Sequence, residues 1–214
     1  MSKNGLTISL NEVLFYFTRA GFGVNASIGV SEDFARSNIW IAQNGFDPSE
    51  CSLLALDNLD SQTSSLSIQF EKTGDGSHLF CPEDKVLSAI EASVSCVDWL
   101  EFNGLDGDLK LTNVDSPLLV VSALGANQCT GIQVSWTDKS NNHYEVNLKD
   151  DIEWEIISSS EAPIELSNYA DIHISAFDVN NKTSISNGKL KTLNIAEERL
   201  KTLNNGVNVG DKWP

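Results

Sequence analysis

Residues 9 to 50 constrain this chain more than any other stretch, because they spell out helix starts and stops one after another. Ser9-Leu10-Asn11-Glu12 reads as a capping box: the serine hydroxyl accepts from the N–H of Glu12, and the glutamate reaches back to the N–H of Ser9. Leu10, Val13, Leu14 and Phe17 follow at i, i+3, i+4 and i+7, one apolar stripe on a helix. Gly21 and Gly23 are expected to end it, since glycine tolerates the left-handed conformation past a helix C-terminus. A second helix should run to Gln43 and stop at Asn44-Gly45. It starts either at Asn25, absorbing Gly29, or at Ser31, where Glu32 and Asp33 would face the positive end of the dipole. Asp47-Pro48-Ser49-Glu50 opens a third helix with proline at its first position, where the missing N–H costs nothing.

Past residue 60 the pattern shifts. Leu66, Ile68 and Phe70 alternate like a half-buried strand, and Thr73-Gly74-Asp75-Gly76 should turn it toward His78-Leu79-Phe80. Helical spacing returns from Glu83, with Val86, Leu87, Ile90, Val94 and Val97 on one face. Then come short runs rich in Val and Ile: Leu109–Val114, Pro117–Leu124, Gly131–Trp136, His143–Leu148, Ile152–Ile157 and Asp171–Phe177. All six read as strands, with Ser140-Asn141-Asn142 as a hairpin tip, and Ile195–Leu203 reads as a short closing helix. Helices first and strands later predict an α+β fold, the N-terminal helices packed on a mainly antiparallel sheet from the C-terminal half. One domain over 1–214 is expected, with a helical subregion 1–60, mixed strands and one helix over 61–180, and a basic tail over 181–214.

Charge narrows the partners. The net charge of −16 argues against nucleic acid, which needs clustered Lys and Arg, and against anionic membrane surfaces. From Lys182 onward, six basic and three acidic side chains give +3, leaving −19 on residues 1–181, so the tail is expected to dock on its own acidic body. No apolar run approaches the ~20 residues of a membrane span. Cys51, Cys81, Cys96 and Cys129 form no CxxC pair, and no export signal opens the chain, so reduced thiols and a cytoplasmic location are expected.

Motifs for chemistry are sparse. Neither GxGxxG after a strand, nor GxxxxGK[ST], nor GxSxG occurs. His78 and Cys81 make one HxxC pair without a second, too little for a metal, and His143 and His173 read as cross-strand partners. No cofactor and no metal are expected. The best ligand-binding candidates are Asp33, Arg36 and Trp40, at i, i+3 and i+7 of the second helix, where arginine between an acid and an aromatic could hold a carboxylate.

The segment Leu10–Glu50 resembles a family of small uncharacterised bacterial proteins with the pattern SLNEV…A.G.G…G..ED.A….W.A..G.D. The matching positions are Ser9 to Val13, Ala20, Gly21, Gly23, Gly29, Glu32, Asp33, Ala35, Trp40, Ala42, Gly45 and Asp47. More distantly it is similar to the N-terminal helices of NAD-dependent malate/L-lactate dehydrogenases. There a Gly-x-Asp-Ser-His-Gly turn supplies a catalytic histidine, whereas this chain has Gly45-Phe46-Asp47-Pro48-Ser49-Glu50, with Ser49 in its place. The resemblance therefore implies fold and not proton transfer. A binding or accessory protein with a small-molecule or protein partner, a second copy included, is the expected function. An enzyme of reduced dehydrogenase type is the alternative.

Overall fold

A computed structural model of the chain describes residues 6–74, 76–83, 85–104, 107–149, 154–158, 169–177, 190–192 and 207–209. Its fold is α+β, with five helices among the described residues: α1 (Leu10–Gly23), α2 (Ile28–Gln43), α3 (Pro48–Asp60), α4 (Ala89–Asn103) and α5 (Pro117–Ala126). Their strand companions are β1 (Leu6–Ile8), β2 (Ser64–Ser65), β3 (Gln69–Lys72), β4 (Gly76–Phe80), β5 (Val86–Leu87), β6 (Asp108–Val114), β7 (Ile132–Thr137), β8 (His143–Leu148), β9 (Trp154–Ser158), β10 (Ala170–Ala176), β11 (Leu190–Thr192) and β12 (Val207–Val209). The main sheet runs β11-β9-β8-β7-β10-β6-β4-β3. It is mixed, because β4 and β5 pair parallel with β6 while β6, β10, β7, β8 and β9 pair antiparallel in turn.

The capping box forms as expected. Ser9 Oγ accepts from the N–H of Glu12 at 3.3 Å, and the Ser9 N–H donates to Glu12 Oε2 at 2.7 Å. Gly21 and Gly23, however, lie inside α1, and the left-handed residue beyond it is Asn25 (φ 66). Gly21 has a different role: Ser31 of α2 sits where its Cβ would be, Oγ at 2.8 Å, so the glycine lets α1 and α2 cross closely. The second helix begins at neither expected residue. Ser27 caps it by accepting from the Val30 N–H, and Gly29 falls in the first turn.

Two elements change identity. Pro117–Leu124 is not a strand but most of α5, and all eight residues are buried. A helix apolar on every side has no amphipathic period, so the run imitates a core strand. The helix expected from Glu83 starts only at Ala89, since Val86–Leu87 is taken by β5 between β2 and β6. The strand expected around Leu66, Ile68 and Phe70 is confined to β3, an exposed edge, while Leu66 and Ile68 pack on the core from the preceding segment. The closing helix Ile195–Leu203 lies outside the described residues. Two described pieces of the basic tail are tied into the fold, β11 on β9 and β12 on β1.

The helices stack on one another before they meet the sheet. α1 crosses α2, α2 lies against α4 and α5, and α4 touches β6. Trp40 of α2 is 5% exposed and covers Gly125 of α5 so tightly that a methyl group there would overlap the indole. Gly125→Ala should therefore destabilise the protein by about 1–3 kcal/mol through overpacking, although alanine is the better helix former. Urea titration checks this, and a stabilised variant would refute the close Trp40 contact.

Candidate functional site

Alternation along the central strands sorts side chains to two faces. Leu109, Leu111, Val134, Trp136, Ile172 and Ile174 turn to the core, and their sequence neighbours turn the other way. The register aligns those neighbours across the sheet: His78 pairs with Lys110, Lys110 with His173, His173 with Ser135, and Ser135 with Glu145. His143, opposite Thr137, lies on the same face. All three histidines of the chain thus meet on one polar sheet face. Each has a neighbour in hydrogen-bond range: His78 Nε2 with Thr112 Oγ1 at 2.7 Å, His143 Nδ1 with Thr137 Oγ1 at 3.3 Å, and His173 Nε2 with Asp108 Oδ2 at 3.0 Å. His143 and His173 are cross-strand partners, as expected from the sequence. Cys81 is buried, and among the described residues no group of three or more His, Cys, Asp or Glu side chains is placed to hold a metal.

An open groove of about 520 Å³ crosses this face at the β7–β8 hairpin, between Trp136–Lys139 and His143 on one side and Asn113, Tyr169, Asp171 and His173 on the other. The hairpin wall is rigidly held. Asp138 accepts from the Asn142 N–H at 2.8 Å, the Asn142 side-chain amide at 2.9 Å and the Tyr144 hydroxyl at 3.0 Å. Desolvation pushes the Asp138 pKa up, but these hydrogen bonds outweigh it and leave the carboxyl below its ordinary range. Across the groove, Asp171 accepts from the Asn113 N–H at 2.9 Å, which suits the left-handed Asn113 (φ 52). The ammonium of Lys139 lies 4.3 Å from the centre of the Tyr169 ring, a cation–π contact.

Behind Tyr169 runs a polar chain into the helices. The Tyr169 hydroxyl donates to Asn58 Oδ1 at 2.9 Å, and Asn58 Nδ2 donates to Asp115 Oδ2 at 3.4 Å. Asp115 Oδ1 accepts from the Ala89 N–H at 2.8 Å, at the start of α4. Asp115 is fully buried, and burial lifts its pKa to about 6 against the opposing hydrogen bonds. The buried Ser64 hydroxyl is close enough to favour the ionised form, yet it lacks hydrogen-bond geometry to any partner.

The residues singled out from the sequence are divided by the fold. Asp33 and Arg36 come together as a surface ion pair at 2.5 Å, with Glu32 at 3.8 Å from the same guanidinium. Trp40 does not share their solvent face; it points into the α2–α5 contact. Ser49 is 2% exposed, and its hydroxyl and N–H both donate to Asp47 Oδ1, at 2.6 and 2.9 Å. The groove residues went unrecognised because they come from four segments up to 60 residues apart, joined only by strand register. The alternation of β6, β7 and β10 was the one legible signal.

No protein-family model matches this chain, and no curated protein matches it. Solved structures do. The fold is similar to that of a dehydrogenase from Sinorhizobium meliloti, with TM-score 0.62 and 8% identity over 97% of each chain. It is similar to delta1-piperideine-2-carboxylate reductase from Pseudomonas syringae pvar. tomato, with TM-score 0.60 and 8% identity over 96% of each chain. A malate dehydrogenase from Pyrococcus horikoshii OT3 aligns with TM-score 0.53 and 10% identity over 77% of this chain, which spans 53% of that enzyme's chain. These likenesses assign a malate/lactate-dehydrogenase type of fold, and at such identity they speak of fold alone.

Asp115 sets a pH dependence. In the folded chain it keeps its proton up to about pH 6, against 3.8 for the ordinary group, so the folded state binds more protons between those values. The resulting stability is fully present below about pH 4 and is lost as pH rises through 6, on the order of 2–3 kcal/mol. Asp115→Asn keeps the acceptor for Ala89 N–H but cannot titrate. The unfolding free energy of the native protein relative to this variant should therefore shrink between pH 4 and 7. A difference that stays flat over that range would rule out the raised pKa.

Proposed function

We propose that this chain is a binding or accessory protein built on the malate/lactate-dehydrogenase type of fold, and that it takes a small molecule in the groove on its polar sheet face. It belongs, on this reading, with the small bacterial proteins that share the Ser9–Asp47 pattern, and it works in the cytoplasm. The observation that carries the proposal is at Ser49. Where the dehydrogenase turn it resembles supplies a proton-transferring histidine, this chain has a buried hydroxyl already donated to Asp47. A serine hydroxyl does not titrate near neutral pH, and a base must lie within hydrogen-bond reach of the substrate hydroxyl to start hydride transfer. Buried thiols fit the cytoplasmic assignment, since Cys51, Cys81 and Cys96 are enclosed and all four cysteines are free. Partnership with a second copy stays within the proposal; the exposed Leu14, Phe15 and Phe22 of α1 offer apolar surface for it.

The likeness to solved dehydrogenases favours a second reading, a reduced small-molecule enzyme whose chemistry uses other groups. One assay separates the two. The protein mixed with NAD and malate or lactate should form no NADH above background, and calorimetry should detect no NADH binding tighter than about 100 μM, roughly 5.5 kcal/mol. NADH formation with either acid would overturn the accessory reading and establish the second.

A further inference from the structure

Hydrogen-bond polarity gives the groove a chemical preference. An ionised Asp115 can only accept, so the Asn58 amide must turn its NH₂ toward Asp115 and its carbonyl toward Tyr169. The phenol proton of Tyr169 is then committed to Asn58 Oδ1, and any further hydrogen bond to this hydroxyl must be donated to it. Its ring presents a negative π face, and one cation already occupies that face: the chain's own Lys139, 4.3 Å from the ring centre. Asp138 and Asp171 line the same groove, Asp171 with the Lys110 ammonium 3.9 Å away, and the chain as a whole carries −16, so its long-range field favours cations over anions. A volume of about 520 Å³ matches a small molecule.

We propose that the groove binds a small organic ammonium ion, whose charged group displaces Lys139 from the face of Tyr169. Lys139 is thus an intramolecular placeholder that weakens binding until it is displaced. This rests on the reading of the groove as a ligand site, and it adds the class of ligand.

The test titrates the full chain with 1,4-diaminobutane, butyrate and 1-butanol while following the Tyr169, His143 and His173 ring resonances. The diamine should shift them saturably, and added salt should weaken the effect. Lys139→Ala, a surface change that leaves the Asp138 turn intact, should tighten diamine binding about two- to fivefold by vacating the ring. Adding Tyr169→Leu to that variant should abolish the gain, and Tyr169→Phe, which keeps the ring, should preserve most of it. If Lys139→Ala weakens diamine binding or leaves it unchanged, the placeholder role is wrong. Groove shifts with butyrate or butanol but not with the diamine would overturn the ammonium preference while sparing the ligand site. Silence from all three probes would overturn the preference as well, whereas the NADH assay decides the accessory reading separately.

Discussion

Asp115 is the joint on which much of the architecture turns. It stands just past the end of β6 and two residues before α5, and its carboxylate accepts from the first N–H of α4. One buried side chain thus takes the first N–H of a helix terminus whose second, that of Ile90, goes to the capping hydroxyl of Ser88 at 3.3 Å. The next residue, Ser116, donates to the Cys51 carbonyl of α3 at 2.9 Å, so two consecutive residues bind the sheet to α3 and α4 and launch α5. Asn58 extends the joint to Tyr169 at the head of β10. A carboxylate held this deep carries a desolvation cost, visible in its raised pKa, and the hydrogen bonds around it offset that cost only in part.

The joint also places the groove. β6 and β10 are neighbours, and Tyr169 hangs from the start of β10, with its phenol fixed from behind by Asn58. On the far side, the β7–β8 hairpin is locked by Asp138, which binds the turn backbone, the Asn142 amide and Tyr144 together. Tyr144 in turn stacks on Trp136, ring centres 5.3 Å apart, which ties the hairpin to the core face of the sheet. Both walls are therefore held by side chains whose own hydrogen bonds are met, the arrangement that keeps a small-molecule site preformed. The Lys139 contact on Tyr169 bridges the two walls across the opening.

The α2–α3 turn has a local physical account. Asp47 caps α3 whether or not the turn serves chemistry, and with proline at the following position the segment needs only a small donor two residues on. Ser49 fills that need and is buried by it. Caps and core contacts of this kind hold the backbone, so a shared fold does not by itself carry an activity.

The sequence by itself determined the local punctuation. The Ser9–Glu12 box, the Asp47-Pro48 start, the β7–β8 hairpin and the alternating strands β6, β7 and β10 were all legible, because caps, tight turns and period-two burial depend on residues close along the chain. The sequence misled where a signal had two meanings. An apolar run without period, Pro117–Leu124, serves equally as a core strand or a helix buried on all sides, and only the enclosure of α5 decides between them. Gly21 looked like a helix stop, but the close crossing of α2 is what requires it. Asp33 and Arg36 could be paired from their spacing, whereas the inward turn of Trp40 depends on Gly125, 85 residues away. The groove was the least legible feature of all. Its residues share no segment: strand register, set by long-range backbone pairing, aligns His173 with Ser135 and Thr137 with His143, while the β7–β8 turn and the residue before β10 bring Lys139 to Tyr169.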